Sequence, residues 1–482
     1  MYKKIHTLYK SVVQIFSKIL ASPLIKNSLW GVISNVLQNL LLSVFFIIMA
    51  RVYEKDELAK YIIANTLYSF LLGFSSLGLG YWFIREIMNS SEKKPLIQKF
   101  FKMQLISGLF FFILNGLISF LLYDDELIRK LSVIIGINLI FDNLIYVIKY
   151  LNIAEQNQKK SAFLLTLEAT LKCMIGLFIF WLKIDLVLLS ILLISIRLLT
   201  LNLFVNYGSS SNIKLLEIVR SRVPYKEMLE IIRQNWSFVI IGSISIINWR
   251  IGNIFVSKFL TLNDVANYEI SFKLLSLAYI LPVIVSSALL PSLVQKEKDG
   301  KKQLIDFYKI VFWCYAIFGF FCYTFIHSFS ADLLPLLFGK MYSDTAPYCN
   351  EMFLVMLVFP TVLIQANLLI TIKLEKIDMI CNLSGLTVNI LLALSGLYLF
   401  KSLSVINYSI FISFIIFHLI QDWVLFNKKM TTPQQIVSFY LIISIALFIY
   451  HLSSIHFDNN WAHFILFWIS IVFLFIIFRG RK

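Results

Sequence analysis

The chain has 482 residues, 59% of them hydrophobic and only 15% charged, with a mean hydropathy of +0.81. A soluble globular chain carries about 25% charged residues, so this composition excludes that class and indicates a polytopic membrane protein. The net charge of +16 does not signal nucleic acid, because the lysines and arginines sit in short loops between apolar runs, where they set orientation.

Residues 1–28 begin "MYKKIHTLYKSVVQIFSKIL", a basic segment that reads as an amphipathic helix on the cytoplasmic membrane surface and shows no cleavable signal. Unbroken apolar runs of about 20 residues then recur, each long enough to cross the bilayer as a helix. They predict an all-α chain with spans at 29–50, 61–84, 100–122, 131–151, 162–182, 184–205, 236–257, 268–293, 305–328, 349–372, 378–400, 403–426, 435–453 and 460–478. The expected organisation is an N-lobe of six helices (29–205), a basic cytoplasmic linker (206–235), a C-lobe of six helices (236–426), and two further helices with a basic C-terminus (427–482). With the N-terminus inside, the inner segments hold about three times as many Lys and Arg as the outer loops, so both termini are expected in the cytoplasm.

Two charged hinges resemble one another. "ARVYEKDELAKYIIANTL" follows the first span and "SKFLTLNDVANYEISFKL" follows the seventh. A shift of 207 residues aligns Arg51 with Lys258, Glu57 with Asp264, Ala59 with Ala266, Tyr61 with Tyr268 and Leu67 with Leu274. Six helices separate the copies, an even number, which implies a parallel repeat about an axis along the membrane normal, a pattern of secondary transporters.

The same stretches carry a family resemblance. The hinge motif followed by "SSLGLGYWFIREI" (Ser75 to Ile87), then "NWRIGNIFVSKFL", "SSALLPSLVQ", "LLPLLFGKMYSDTAP" and "NLLITIKLEKIDMICNLSGLTVNILL" resemble the polysaccharide and O-antigen flippases of the multidrug/oligosaccharidyl-lipid/polysaccharide exporter (MOP) superfamily. The resemblance implies two six-helix lobes around a central cavity and translocation of undecaprenyl-pyrophosphate-linked oligosaccharide from the cytoplasmic to the outer leaflet of a bacterial cytoplasmic membrane. It implies no cofactor, with a proton or sodium gradient as the available drive. The expected partners are the lipid-linked oligosaccharide and membrane lipid, with a glycan polymerase and a chain-length regulator acting on the product. Where relatives often carry an acidic residue just after the arginine of the seventh span, this chain has Gly252 and Asn253, which argues against a coupling carboxylate there.

Charges inside spans are costly and mark cavities, pairs or pathways. The basic candidates for substrate binding are Arg250, Lys172, Arg197 and Lys273; Asp142, Glu168 and Glu269 are the candidates for coupling. Snorkelling to the interface is the rival reading for Arg250 and Lys273, and an internal ion pair for Lys172 and Arg197. Glu168–Lys172 and Glu269–Lys273 are each four residues apart and face one another on a helix. Asn35, Gln38 and Asn39 in span one, and Ser243, Arg250, Asn253 and Ser257 in span seven, form polar faces whose amides and hydroxyls suit sugar hydroxyls. Helix–helix hydrogen bonding is the alternative use of such faces. Gly73, Gly78 and Gly80, with Pro282, Pro291 and Pro360, are expected bend points. There is no GxxxxGK[ST] or HExxH motif, and neither the six histidines nor the five scattered cysteines have metal-ligand or disulfide spacing. A cation-coupled drug or metabolite antiporter of the same superfamily is one rival function. A membrane-embedded glycan polymerase or ligase is the other, and the large outer catalytic loop it would need is missing.

Overall fold

The computed structural model describes residues 23–90, 92–208 and 223–480. The expected surface helix of residues 1–22, the linker stretch 209–222 and the last two residues lie outside them. Among the described residues the chain is helical and has no strand, because a segment in hydrocarbon must satisfy its own backbone N–H and C=O groups. Helical segments cover all fourteen expected spans, and eleven of the described helices are long and apolar enough to cross a membrane. The protein is a multi-pass membrane protein.

The chain divides into two compact units, Met1–Ile247 and Asn248–Lys482. The first contains α1 (Pro23–Val52), α2 (Lys55–Ser75), α3 (Gly80–Asn89), α4 (Lys93–Leu122), α5 (Glu126–Gly136), α6 (Asn138–Ala154), α7 (Gln158–Leu182), α8 (Leu186–Leu203) and α9 (Tyr225–Gln234). The division falls inside α10 (Trp236–Phe259). The first half of α10 belongs to the first unit, where Ser243 Oγ donates to the Gly73 carbonyl at 3.0 Å. The second unit continues with α11 (Leu262–Asp299), α12 (Lys301–Phe338), α13 (Ala346–Phe353), α14 (Phe359–Thr371), α15 (Glu375–Phe400), α16 (Leu403–Asn427), α17 (Pro433–Ser454) and α18 (Asn460–Gly480).

The charged hinges are helix-terminus devices. Arg51 lies in the last turn of α1, and Asp56 and Glu57 in the first turn of α2. Lys258 lies in the last turn of α10, and Thr261 with Asp264 forms a capping box on α11. Basic residues at helix C-termini and acidic ones at N-termini each complement the helix dipole, so a sharp turn between two spans carries both signs. A second pair of turns matches as well. Lys183 (φ 43) and Lys401 (φ 45) are left-handed at the ends of α7 and α15, and Asp185 and Ser402 cap the helices that follow.

The second span is not one helix. It breaks at Ser76–Leu79, with Leu77 and Gly78 at positive φ, and side chains satisfy the freed backbone groups. Asn143 Nδ2 donates to the Ser75 carbonyl at 3.0 Å and Gln104 Nε2 to the Ser76 carbonyl at 3.0 Å. The Gly80 amide donates to Tyr146 Oη at 2.9 Å. Gly80 has to be glycine, since a Cβ there would stand 2.2 Å from the Tyr150 ring. The tenth span is broken too, into α13, a short 3₁₀ turn (Leu354–Leu357) and α14, with Pro360 in the first turn of α14. Pro282 and Pro291 do not break α11, which is helical over 38 residues.

Two predictions concern this framework. A Cβ on Gly319 of α12 would stand 2.0 Å from the Met356 carbonyl oxygen, and backbone cannot step aside as a side chain can. Gly319→Ala is expected to destabilise the protein by about 3 kcal/mol, read as a fall in melting temperature in detergent; an unchanged midpoint would contradict the packing. The second concerns Asp125, the N-cap of α5, which pairs with Lys60 at 2.6 Å. Partial burial disfavours the Asp125 carboxylate, but Lys60 and the Ile128 and Leu127 amides outweigh it and hold the carboxyl below its usual range. A depressed carboxyl stabilises the fold above its unfolded-state pKa and loses that contribution as pH falls through the folded-state value. Lys60→Met should therefore cost about 0.5 kcal/mol at neutral pH, and the gap from wild type should close on acidification. A gap that stays constant down to low pH would contradict the pairing.

Candidate functional site

The first unit encloses a cavity of about 490 Å³ lined by Gln38, Tyr61, Asn65, Tyr68, Asn138, Asp142, Lys149, Glu168, Lys172 and Arg197, among others. Its wall comes from polar faces at helical spacing within apolar helices. Tyr61, Asn65, Tyr68 and Leu72 make the face of α2; Asn138, Asp142, Ile145 and Lys149 that of α6.

Arg197 is the centre of the site. It lies eleven residues into α8, about 16 Å from the start of the helix at 1.5 Å per residue and thus near mid-membrane. Its guanidinium donates from Nη2 to Asp142 of α6 and from Nη1 to Glu168 of α7. Lys172 Nζ meets the other oxygen of Glu168 at 2.6 Å, and Tyr68 Oη donates to the other oxygen of Asp142. Asp142 and Glu168 are buried. A planar fork of donors is well suited to serving two carboxylates on two helices at once. The pairing of Glu168 with Lys172 is thus one edge of a four-helix network joining α2, α6, α7 and α8.

The network leaves one charge over. The lining holds Asp142 and Glu168 against Arg197, Lys172 and Lys149. Lys149 is exposed on the cavity wall, and among the described residues no ion pair involves it. It lies seven residues beyond Asp142 on α6, about 10 Å nearer the end of that helix. The cavity is therefore a polar chamber with a net positive lining, of a kind that holds an anion beside hydroxyl-rich groups.

The other sequence candidates fall elsewhere. Of the span-one amides, Gln38 lines the cavity and donates to Ser34 Oγ at 2.6 Å. Asn35 and Asn39 do not line it; both are exposed, and Asn39 Nδ2 turns back to the Asn35 carbonyl at 2.8 Å. Arg250, Asn253, Glu269 and Lys273 belong to the second unit. There Glu269 faces Arg250 Nη1 at 3.5 Å and accepts from Asn253 Nδ2. Lys273 has Glu269 and Arg250 as its charged neighbours. Arg250 lies 5.3 Å from the Phe272 ring, and Trp249 beside it stacks on Tyr279 at 5.2 Å. Ser243 is used for packing on Gly73, and Ser257 donates to the carbonyl of Ile254, three residues back, at 2.9 Å. Among the described residues no group of three or more His, Cys, Asp or Glu is placed to hold a metal ion.

Sequence reasoning missed Lys149, Tyr61, Asn65, Tyr68 and Asn138. Lys149 was hidden by its closeness to a span end, where it counts as a loop charge. The signal that could have found it is periodicity, since Asn138, Asp142 and Lys149 share one helical face.

A profile of a family described as "Polysaccharide biosynthesis protein" matches residues 48–347. No curated protein matches the chain in sequence. Among solved structures, the fold is similar to the lipid II flippase MurJ in an inward closed conformation, with a TM-score of 0.70 and 16% identity over 95% of this chain and 99% of that one. It is also similar to an inward-facing multidrug resistance MATE family transporter of the MOP superfamily, with a TM-score of 0.64 and 13% identity over 82% and 96% of the two chains. A third is a MOP superfamily transporter from Pyrococcus furiosus, with a TM-score of 0.57 and 13% identity over 85% and 96%. At such identities the likeness establishes the fold.

Arg197→Ala would leave Asp142 without a cation and Glu168 with Lys172 alone, a loss of about 3–5 kcal/mol, whereas Lys149→Gln breaks no pair and should change stability by less than about 0.5 kcal/mol. Melting of the two purified variants checks this ordering. Equal stabilities would mean that Arg197 does not hold the network together.

Proposed function

Because the chain belongs to the polysaccharide biosynthesis protein family, we propose that it is a flippase carrying a polyprenyl-pyrophosphate-linked oligosaccharide across a bacterial cytoplasmic membrane. Its Lys- and Arg-rich side faces the cytoplasm, where the substrate is taken up, and release is to the outer leaflet. The observation that carries this reading is the cavity of the first unit, with its one cation in excess and its wall of tyrosines and amides. Pyrophosphate suits the excess charge, and sugar hydroxyls suit groups that both donate and accept.

In this reading Lys149 meets the pyrophosphate first, being nearest the cytoplasmic end of its helix. The anion then competes with Glu168 for Lys172 and with both carboxylates for Arg197. A carboxylate that loses its cation inside a membrane is stabilised by taking a proton, so Glu168 is placed to link substrate binding to a proton gradient. The lipid tail needs no protein cage, since hydrocarbon solvates it.

The test is translocation in reconstituted vesicles of a short fluorescent polyprenyl-pyrophosphate oligosaccharide. Wild type should flip it, Lys149→Gln about tenfold more slowly, as expected when a charged hydrogen bond of about 1.4 kcal/mol is lost. Glu168→Gln should still flip the lipid but no longer respond to an imposed pH gradient. Failure to flip any of several such glycolipids, with active exchange of organic cations, would replace this reading with the antiporter. Lengthening of the glycan would replace it with the polymerase.

A further inference from the structure

The second unit buries a carboxylate–imidazole pair that plays no part in the cavity of the first. His418 and Asp422 lie one turn apart on α16; His418 is fully enclosed and Asp422 is 4% exposed. His418 Nδ1 is 3.1 Å from Asp422 Oδ2. Gln365 of α14 donates from Nε2 to Asp422 Oδ1 at 2.6 Å. Tyr440 of α17 closes the group, with its hydroxyl 2.6 Å from His418 Nδ1 and 3.4 Å from Asp422 Oδ2. Phe439 of α17 stacks on the imidazole at 4.9 Å, and Phe312 of α12 lies 6.0 Å away.

Within this group His418 Nε2 has no hydrogen-bond partner among the described residues, and the Tyr308 hydroxyl faces Gln365 and Asp422. A buried polar atom left unpaired costs about 1–3 kcal/mol. The groups facing the pair come from every neighbouring helix: Tyr308 and Phe312 from α12, Gln365 from α14, Phe439 and Tyr440 from α17. The nearby carboxylate of α15, Asp378, is turned to Gln421 Nε2 at 2.9 Å. Glu351 of α13 is bound at the opposite end of α16, by Ser404 at 2.8 Å and Asn407 at 3.0 Å. No Lys or Arg among the described residues forms an ion pair with Asp422.

We propose that His418 and Asp422 together form a single proton-binding site, closed by Tyr440. With imidazole neutral, the site holds one buried negative charge shared by three donors. A proton taken from water adds to His418 Nε2, since Nδ1 is already engaged by Asp422 and Tyr440, and the site becomes a neutral ion pair. The stacked Phe439 ring offers the imidazolium a π face. Asp422 is five residues, about 8 Å, from the end of α16, on the side of the Lys428–Lys429 turn. The site stands whether or not the flippase reading holds, because no substrate is involved.

Proton counting tests it. The purified full-length protein in detergent is taken from about pH 8 to about pH 5, the range in which histidine changes charge, and bound protons are measured by potentiometry. Wild type should take up about one proton more than His418→Gln, and Asp422→Asn, which removes the compensating charge, should match His418→Gln. Either variant alone suffices if the other fails to fold. Equal uptake by wild type and His418→Gln would overturn the proposal. So would an Asp422→Asn protein that takes the extra proton at the wild-type midpoint.

Discussion

Charge buried in hydrocarbon is the constraint around which the first unit is arranged. Two carboxylates on two helices near mid-membrane would be untenable alone, and Arg197 is the one donor that reaches both. Its position on α8 fixes the approach of α6 and α7, and Tyr68 extends the tie to α2. The polar faces of these helices line the cavity between them. Once the four pairing groups are satisfied, the lining still carries Lys149, and the proposed anion binding rests on that surplus.

The same rule governs the backbone. The second span can break at Ser76–Leu79 because Asn143, Gln104 and Tyr146 take up the freed carbonyls and amide. Those residues come from α4 and α6, and α6 also lines the cavity. The two units share local devices, including the charged hinges and the left-handed lysines that end α7 and α15. They use buried charge differently. In the first, Arg197 joins two carboxylates; in the second, Glu269 faces Arg250 and accepts from Asn253, and Asp422 is set against a histidine.

Much of this was legible in the sequence, for physical reasons. Apolar runs of membrane length have one solution, a helix, so the spans could be read directly. Helix-terminal charges are local, so the hinges and their repeat were visible too. The pairing of Glu168 with Lys172 followed from spacing on one helix. The join of Arg197 to Asp142 and Glu168 did not, because it depends on which helices are neighbours, and that is a tertiary fact. The break at Gly78 was expected as a bend, but its extent depended on distant partners such as Asn143. Pro282 and Pro291 do not end their helix, since α11 continues through both. Asn35 and Asn39 were grouped with Gln38 by periodicity alone, and of the three only Gln38 lines the cavity.

The account rests on one claim, that the cavity of the first unit binds anionic pyrophosphate through a surplus cation. The most direct measurement is equilibrium binding of a short-chain polyprenyl-pyrophosphate oligosaccharide to the purified protein, beside an uncharged glycolipid of the same sugar. The account predicts tighter binding of the pyrophosphate compound, weakened about tenfold by Lys149→Gln and progressively by salt, with the neutral compound indifferent to both. Equal binding of the two compounds, or a pyrophosphate affinity unchanged by Lys149→Gln, would contradict it.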